Sequence, residues 1–172
     1  MKNIRIKSLP TKELTNEKLS ICKLKNEHWI YGTKSHLIWF NKFVKKEDIH
    51  ILMYSNKNLI GYNLLRKRKF LYKKQQKNYF YFDTIILQKK YRNIKLGSTI
   101  CQFSMKIIKK EKLHSILICK NNTEKFYKRN KWKKFYKKNF KTLDKELKKN
   151  DSVMCFNQEK SMSRKIIEYS ID

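Results

Sequence analysis

Along the first residues, apolar and polar positions alternate through Ile4, Ile6 and Leu9 and stop at Pro10. That is the pattern of a short strand closed by a proline. Thr11 then caps a helical stretch, TKELTNEKLSICKL, in which Leu14, Leu19 and Leu24 form a partial apolar face. A second short helix is predicted over 35–44 with Ser35 as its cap, and Tyr31, Gly32 and Thr33 separate the two. Two strand-like runs, 48–54 and 59–72, meet at the polar SNKN and predict a hairpin. A third run, 78–87, follows the polar KKQQKN and extends this to a three-stranded antiparallel meander.

Beyond the meander the period changes. Ile100, Phe103, Ile107 and Ile108 recur at helical spacing and predict a helix from about 97 to 111. A strand over 114–120, a short helix over 123–130, a strand over 131–138 and a last strand over 151–158 follow. The segment 159–172 is polar and predicts a flexible, frayed end or a short helix. The order β-α-α-β-β-β-α-β-α-β-β defines a mixed α/β (α+β) layer. Its central sheet has six to seven mostly antiparallel strands, flanked by about four helices. At 172 residues the chain is expected to form one domain, 1–172.

Charge changes the picture less than it first promises. The formal net charge is +29, which points to a partner rich in phosphate or carboxylate. Only six of the 43 basic residues are Arg, however, and Arg is the side chain that makes bidentate phosphate and guanine contacts. Abundant Lys, Asn and Ile also follow from A/T-rich coding alone. Residues 125–141, KFYKRNKWKKFYKKNFK, interleave Lys with Phe126, Tyr127, Trp132, Phe135, Tyr136 and Phe140. That pattern suits either a nucleic-acid stacking surface or a strand with one buried aromatic face. Cys22, Cys101, Cys119 and Cys155 are far apart with no CxxC, and the four His lack ligand spacing, so buried thiols and no metal are expected. The N-terminus lacks the apolar core of a signal peptide and no window reaches membrane-span length, so a cytoplasmic protein is expected.

The chain has three glycines, and Gly97 stands within LQKKYRNIKLGSTICQF, after a strand pattern and at the mouth of a helix. A strand that turns into a helix leaves backbone N–H groups pointing at one spot, with the positive end of the helix dipole behind them. Without a Cβ, Gly97 lets a phosphate approach that backbone, and Lys89, Lys90, Arg92 and Lys95 add charge around it.

The arrangement around Gly97 resembles the GNAT superfamily of N-acetyltransferases. The family's pyrophosphate loop, Arg/Gln-x-x-Gly-x-Gly/Ala after an apolar strand, is matched by Arg92, Asn93, Ile94, Lys95, Leu96 and Gly97, preceded by Ile85, Leu87 and Tyr91. Lys95 replaces the first glycine of the pattern. A second match lies in NNTEKFYKRNKWKKF, where Asn121 or Asn122, Phe126-Tyr127 and Lys131-Trp132 take the places of the family's Asn loop, aromatic-Tyr pair and Gly-Phe or Gly-Trp. A third, LLRKRKFLYKKQQKNYFYFD, is similar to the aminoglycoside N-acetyltransferase and nodulation-type acyltransferase branch, which places an acid nine residues before the loop Arg; here that acid is Asp83.

What the resemblance implies is an acyl-CoA-dependent N-acyltransferase using acetyl-CoA, or another acyl-CoA, to modify a primary amine of a small molecule, with an amino sugar as the subgroup's acceptor. Pyrophosphate would sit at Asn93–Ser98, and an N–H of Leu87 or Gln88 would polarise the thioester carbonyl. Asn121 and Asn122 would add cofactor contacts. Asp83 would take the ammonium proton, and the Tyr127 phenol, with an ordinary pKa of about 10, would return one to the leaving thiolate. The expected assembly is a monomer or homodimer. An RNA-binding protein, an RNA-directed or otherwise anion-directed acetyltransferase and an inactive protein of this fold are the alternatives.

Overall fold

The computed structural model describes residues 3–142, 146–158 and 166–172. Two compact units make up the chain, Met1–Arg66 with Asp83–Ser104 and Lys67–Phe82 with Met105–Asp172.

In the first unit, β1 (Ile4–Pro10) pairs antiparallel with β2 (Ile49–Ser55), and β2 pairs antiparallel with the start of β3 (Asn58–Tyr72). Asn56, at φ 55°, makes the tight turn of that hairpin. β4 (Gln75–Leu87) follows β3 in the sheet order. Two helices cover this part, α1 (Glu17–Asn26) and α2 (Thr33–Phe43). Their apolar stripes, Ile21, Cys22, Leu24 and Phe40, pack with Leu52, Tyr62, Leu64 and Ile86 of the strands. Buried His50 is held from both ring nitrogens, 2.8 Å from Tyr62 Oη and 2.9 Å from Thr11 Oγ1. Thr11 explains why the first helix starts later than its sequence suggests: its N–H and hydroxyl both go to the Asp48 carbonyl, so it forms a 3-10 turn and α1 begins at Glu17. α2 by contrast begins earlier, at Thr33 rather than Ser35, entered through Gly32 at φ 83°.

α3 (Leu96–Lys110) leaves the end of β4. Its first turns approach β3 at Gly61, where a Cβ would stand 2.6 Å from Leu87 Cδ2 and 2.9 Å from Ile100 Cδ1. Only a residue without a side chain allows that spacing.

The second unit holds the outer part of the β3–β4 hairpin, whose turn is only Lys73 and Lys74, at φ 51° and 63°. Two left-handed residues are what a type I′ hairpin needs, so pairing extends to Gln75, inside the expected KKQQKN loop. β5 (Ser115–Lys120) runs parallel to β4 over Phe80 and Tyr81, and pairs antiparallel with β8 (Asp151–Phe156), which in turn pairs with β6 (Lys133–Phe135). α4 (Glu124–Arg129) lies between β5 and β6 in the chain.

Two strands were not anticipated. β7 (Phe140–Thr142) pairs parallel with β9 (Ile167–Tyr169), and β9 pairs antiparallel with β3. The C-terminal stretch therefore corrects the expected frayed end over its described part, while residues 159–165 of that expectation lie outside the described residues. Ile167, Tyr169 and Ile171 alternate inward and join Phe70, Tyr72, Tyr79, Tyr81, Phe135 and Phe140 in the core. Three apolar residues in a polar tail are a weak signal, and it is the ring cluster waiting for them that makes the strand. His114 stacks on Tyr79, with ring planes 18° apart, and lies 3.3 Å from Tyr169 Oη. The sheet thus has nine strands among the described residues, mostly antiparallel, with four helices.

Candidate active site

The loop between β4 and α3 is where sequence and geometry agree most closely. After Leu87 the chain makes a 3-10 turn, Lys89–Tyr91, and anchors itself by burying the Tyr91 ring. Left-handed backbone then falls on Asn93 (φ 63°) and Lys95 (φ 65°). Lys95 therefore keeps the conformation that the resemblance assigns to a glycine, at a cost of about 1–2 kcal/mol for a residue with a Cβ. Gly97 falls inside the first turn of α3, at the mouth of the helix where the sequence places it.

The first helical bond of α3 runs from the Thr99 N–H to the Lys95 carbonyl, at 3.1 Å. By helix geometry the amides of Leu96 and Gly97 precede it and point out of the helix end. Arg92 to Lys95 are exposed around that end, with the Ile94 side chain 59% exposed. An outward set of amides with lysines beside it suits a pyrophosphate.

Arg92 itself is a brace. Its Nε donates to the Leu87 carbonyl at 3.1 Å and its Nη2 meets His28 Nδ1 at 3.2 Å. Burial and the Arg92 charge hold His28 below the ordinary imidazole range. Gln88 is engaged at both ends: its N–H donates to the Ile60 carbonyl at 2.9 Å and its side chain to Glu27 at 3.1 Å. Of the two amides expected to polarise a thioester, that of Gln88 is thus spent on the sheet.

Asp83 lies on β4 in the same unit, half-buried. Its Oδ1 accepts the Thr84 N–H at 2.7 Å and the Thr84 hydroxyl at 3.2 Å, and its Oδ2 is 3.4 Å from Arg66 Nη1. A carboxylate has about four acceptor directions, so one remains for a further donor. The strand is irregular here. Buried Asn63 donates to the carbonyls of both Asp83 (2.8 Å) and Thr84 (3.1 Å), which in a regular strand would face opposite ways, and Ser104 donates to Asn63 in turn at 2.7 Å.

Asn121, Asn122 and Tyr127 belong to the second unit. Asn121 Oδ1 lies 2.6 Å from the Ser152 hydroxyl, and Asn122 is exposed. Tyr127 is 7% exposed on α4, with its ring edge-on to Phe82, Phe126 and Trp132. Trp132, Phe135 and Phe140 are buried too, while Tyr136 is 66% exposed. Four of the six aromatic rings in the run 125–141 are therefore buried.

Sequence reasoning read no motif in the first 47 residues. They contribute His28 to the Arg92 brace, Glu27 to Gln88, and Lys25 and Trp39 to the surroundings of Arg66. The signal for Lys25 was available in its spacing, since it falls four residues after Ile21 on the buried stripe of α1.

Residues 13–132 match the description "Acetyltransferase (GNAT) family". The chain belongs to that family, and by class it is an acetyl-CoA-dependent N-acyltransferase. Among curated proteins none matches it in sequence. Solved structures share the fold. An acyl-CoA N-acyltransferase from Pseudomonas aeruginosa is 11% identical, with a TM-score of 0.63 over 89% of this chain and 97% of that one. The paia N-acetyltransferase from Thermoplasma acidophilum, in complex with coenzyme A, is 17% identical, with a TM-score of 0.57 over 89% and 98%. A mutant of the AtaT toxin, bound to acetyl-CoA and to the C-terminus of the antitoxin AtaR, is 13% identical, with a TM-score of 0.58 over 89% and 92%. No helix among the described residues is long and apolar enough to cross a membrane.

Proposed function

We propose that the chain transfers an acetyl group from acetyl-CoA to a primary amine of a small molecule by direct attack, with an amino sugar as the acceptor class. One observation carries the cofactor side: the outward amides of Leu96 and Gly97 behind two left-handed residues, with Lys89, Lys90 and Lys95 adding charge. The bound coenzyme A of the Thermoplasma enzyme and the acetyl-CoA of the toxin complex support the same ligand. Asn121 and Asn122 supply further cofactor contacts. The acceptor class follows the resemblance of residues 64–83 to the aminoglycoside and nodulation-type branch.

Acetyl-CoA, when bound, supplies the thioester. Asp83 has the acceptor direction needed to take the ammonium proton, with Arg66 and Thr84 holding the carboxylate in place. The Leu87 amide polarises the thioester carbonyl, since the Gln88 N–H is already bonded. Tyr127 protonates the departing thiolate. Positioning of the amine supplies most of the rate.

Calorimetric titration tests the cofactor, with coenzyme A and with a coenzyme A analogue lacking its phosphates. Saturable heat that requires the phosphates is expected. Given binding, Tyr127→Phe should slow thiol release by about 100-fold with an acetyl-CoA affinity within threefold of the parent. An absence of heat with acetyl-CoA would sink the reading, and an undiminished rate in Tyr127→Phe would remove that residue from it.

A further inference from the structure

We propose that the acceptor amine also carries an anionic group, phosphate or carboxylate, and that Lys25 and Arg66 hold that group; the inference rests on the acyltransferase reading above. Three charges meet within the first unit. Lys25 of α1 is 6% exposed and Arg66 of β3 only 2%, and both cations lie over one indole. Lys25 Nζ stands 3.7 Å and Arg66 Cζ 5.6 Å from the ring centroid of Trp39 on α2. Arg66 also donates to the Phe43 carbonyl at 3.3 Å and reaches Asp83 at 3.4 Å. Lys25 has no carboxylate within ion-pair distance among the described residues.

Lys25 thus carries its charge largely out of water with no carboxylate at ion-pair distance among the described residues. Such a charge is costly unless paired, and an indole face offsets only about 2 kcal/mol of that cost. Burial pushes the Lys25 ammonium down in consequence, with Asp83 only partly opposing it. A side chain needed merely for packing would be served there by leucine or methionine, as at Ile21 and Leu24 beside it. The arrangement instead suits a zwitterionic acceptor, with its ammonium toward Asp83 and its anion toward Lys25 and Arg66. It also separates a specific use of charge from the diffuse +29 of the surface.

The experiment titrates matched pairs into protein saturated with coenzyme A, in about 0.15 M salt, where the Debye length is roughly 8 Å and diffuse attraction is screened. Glucosamine 6-phosphate against glucosamine tests phosphate, and γ-aminobutyrate against butylamine tests carboxylate. The anionic member of at least one pair is expected to bind 10-fold or more tightly than its neutral partner. That ratio should fall to near one in Lys25→Met, persist in Lys25→Arg, and persist in Lys57→Met, which removes an exposed lysine. Lys25→Met should melt no lower than the parent, so that lost binding is not lost folding. If coenzyme A binds but neither pair shows the preference, or if Lys25→Met retains it, the inference falls and the acyltransferase reading stands. If coenzyme A itself fails to bind, both fall.

Discussion

Lys95 and Lys131 occupy the same backbone conformation, φ 65° in each case, and each stands where the resemblance places a glycine. Their surroundings differ. Lys131 ends a helix: its N–H donates to the Lys128 carbonyl and that of Trp132 to the Tyr127 carbonyl, the paired bonds of a Schellman turn. Lys112 ends α3 in the same way, with Lys112 N–H to Lys109 and Leu113 N–H to Ile108. Lys95 begins a helix, so the amides of Leu96 and Gly97 that follow it face outward from the helix end. One conformation therefore closes a hydrogen-bond account at a helix C-terminus and opens one at an N-terminus. The left-handed lysine is a feature of a chain with three glycines; the proposed ligand site comes from the end of the helix on which it falls.

The largest effect expected from this contrast is at Trp132, which locks the Lys131 turn from inside with rings at 5.0 Å (Phe82) and 5.7 Å (Phe156). Trp132→Ala should cost about 3–5 kcal/mol in urea unfolding. A loss below 1 kcal/mol would show that the turn's own bonds suffice. Next come the glycine restorations. Lys131→Gly and Lys112→Gly should each gain about 1 kcal/mol, because a left-handed residue without a Cβ is unstrained. Lys95→Gly should gain as much and also change coenzyme A affinity, while the other two leave affinity alone. Equal affinities in all three would erase the distinction.

The smallest effect is a pH dependence confined to the loop. The folded pKa of His28 is depressed, so its contribution to stability is complete above about pH 6.5 and is lost as the pH falls through the lower folded value. A protonated His28 can no longer accept from Arg92. Lowering the pH from 7 to 5 should therefore weaken coenzyme A binding about two- to threefold more in the parent than in His28→Gln.

Much of this was legible in the residues. The order of elements from β1 to β6, the meander and the loop before α3 all followed from periodicity and turn chemistry, because those signals are local. Two strands escaped, since three residues such as Phe140–Thr142 or Ile167–Tyr169 become strands only when a partner edge exists. The loop was legible in outline, with Gly97 at the helix mouth, but the left-handed turn through Asn93 and Lys95 was not. Side chains chosen for packing or bracing, such as His28 and Asn63, carry no motif and could be found only in space.

Sequence by itself determined the class of protein and the outline of the loop before α3, because a strand, a basic turn and an amphipathic helix in that order leave outward amides whatever surrounds them. Tertiary structure alone decided how the charges are used. Arg92 became a brace, Gln88 lost its amide to Ile60, and Lys25 went under an indole beside Arg66. Which charge stays in water and which is buried depends on neighbours from distant parts of the chain, and no local pattern encodes that.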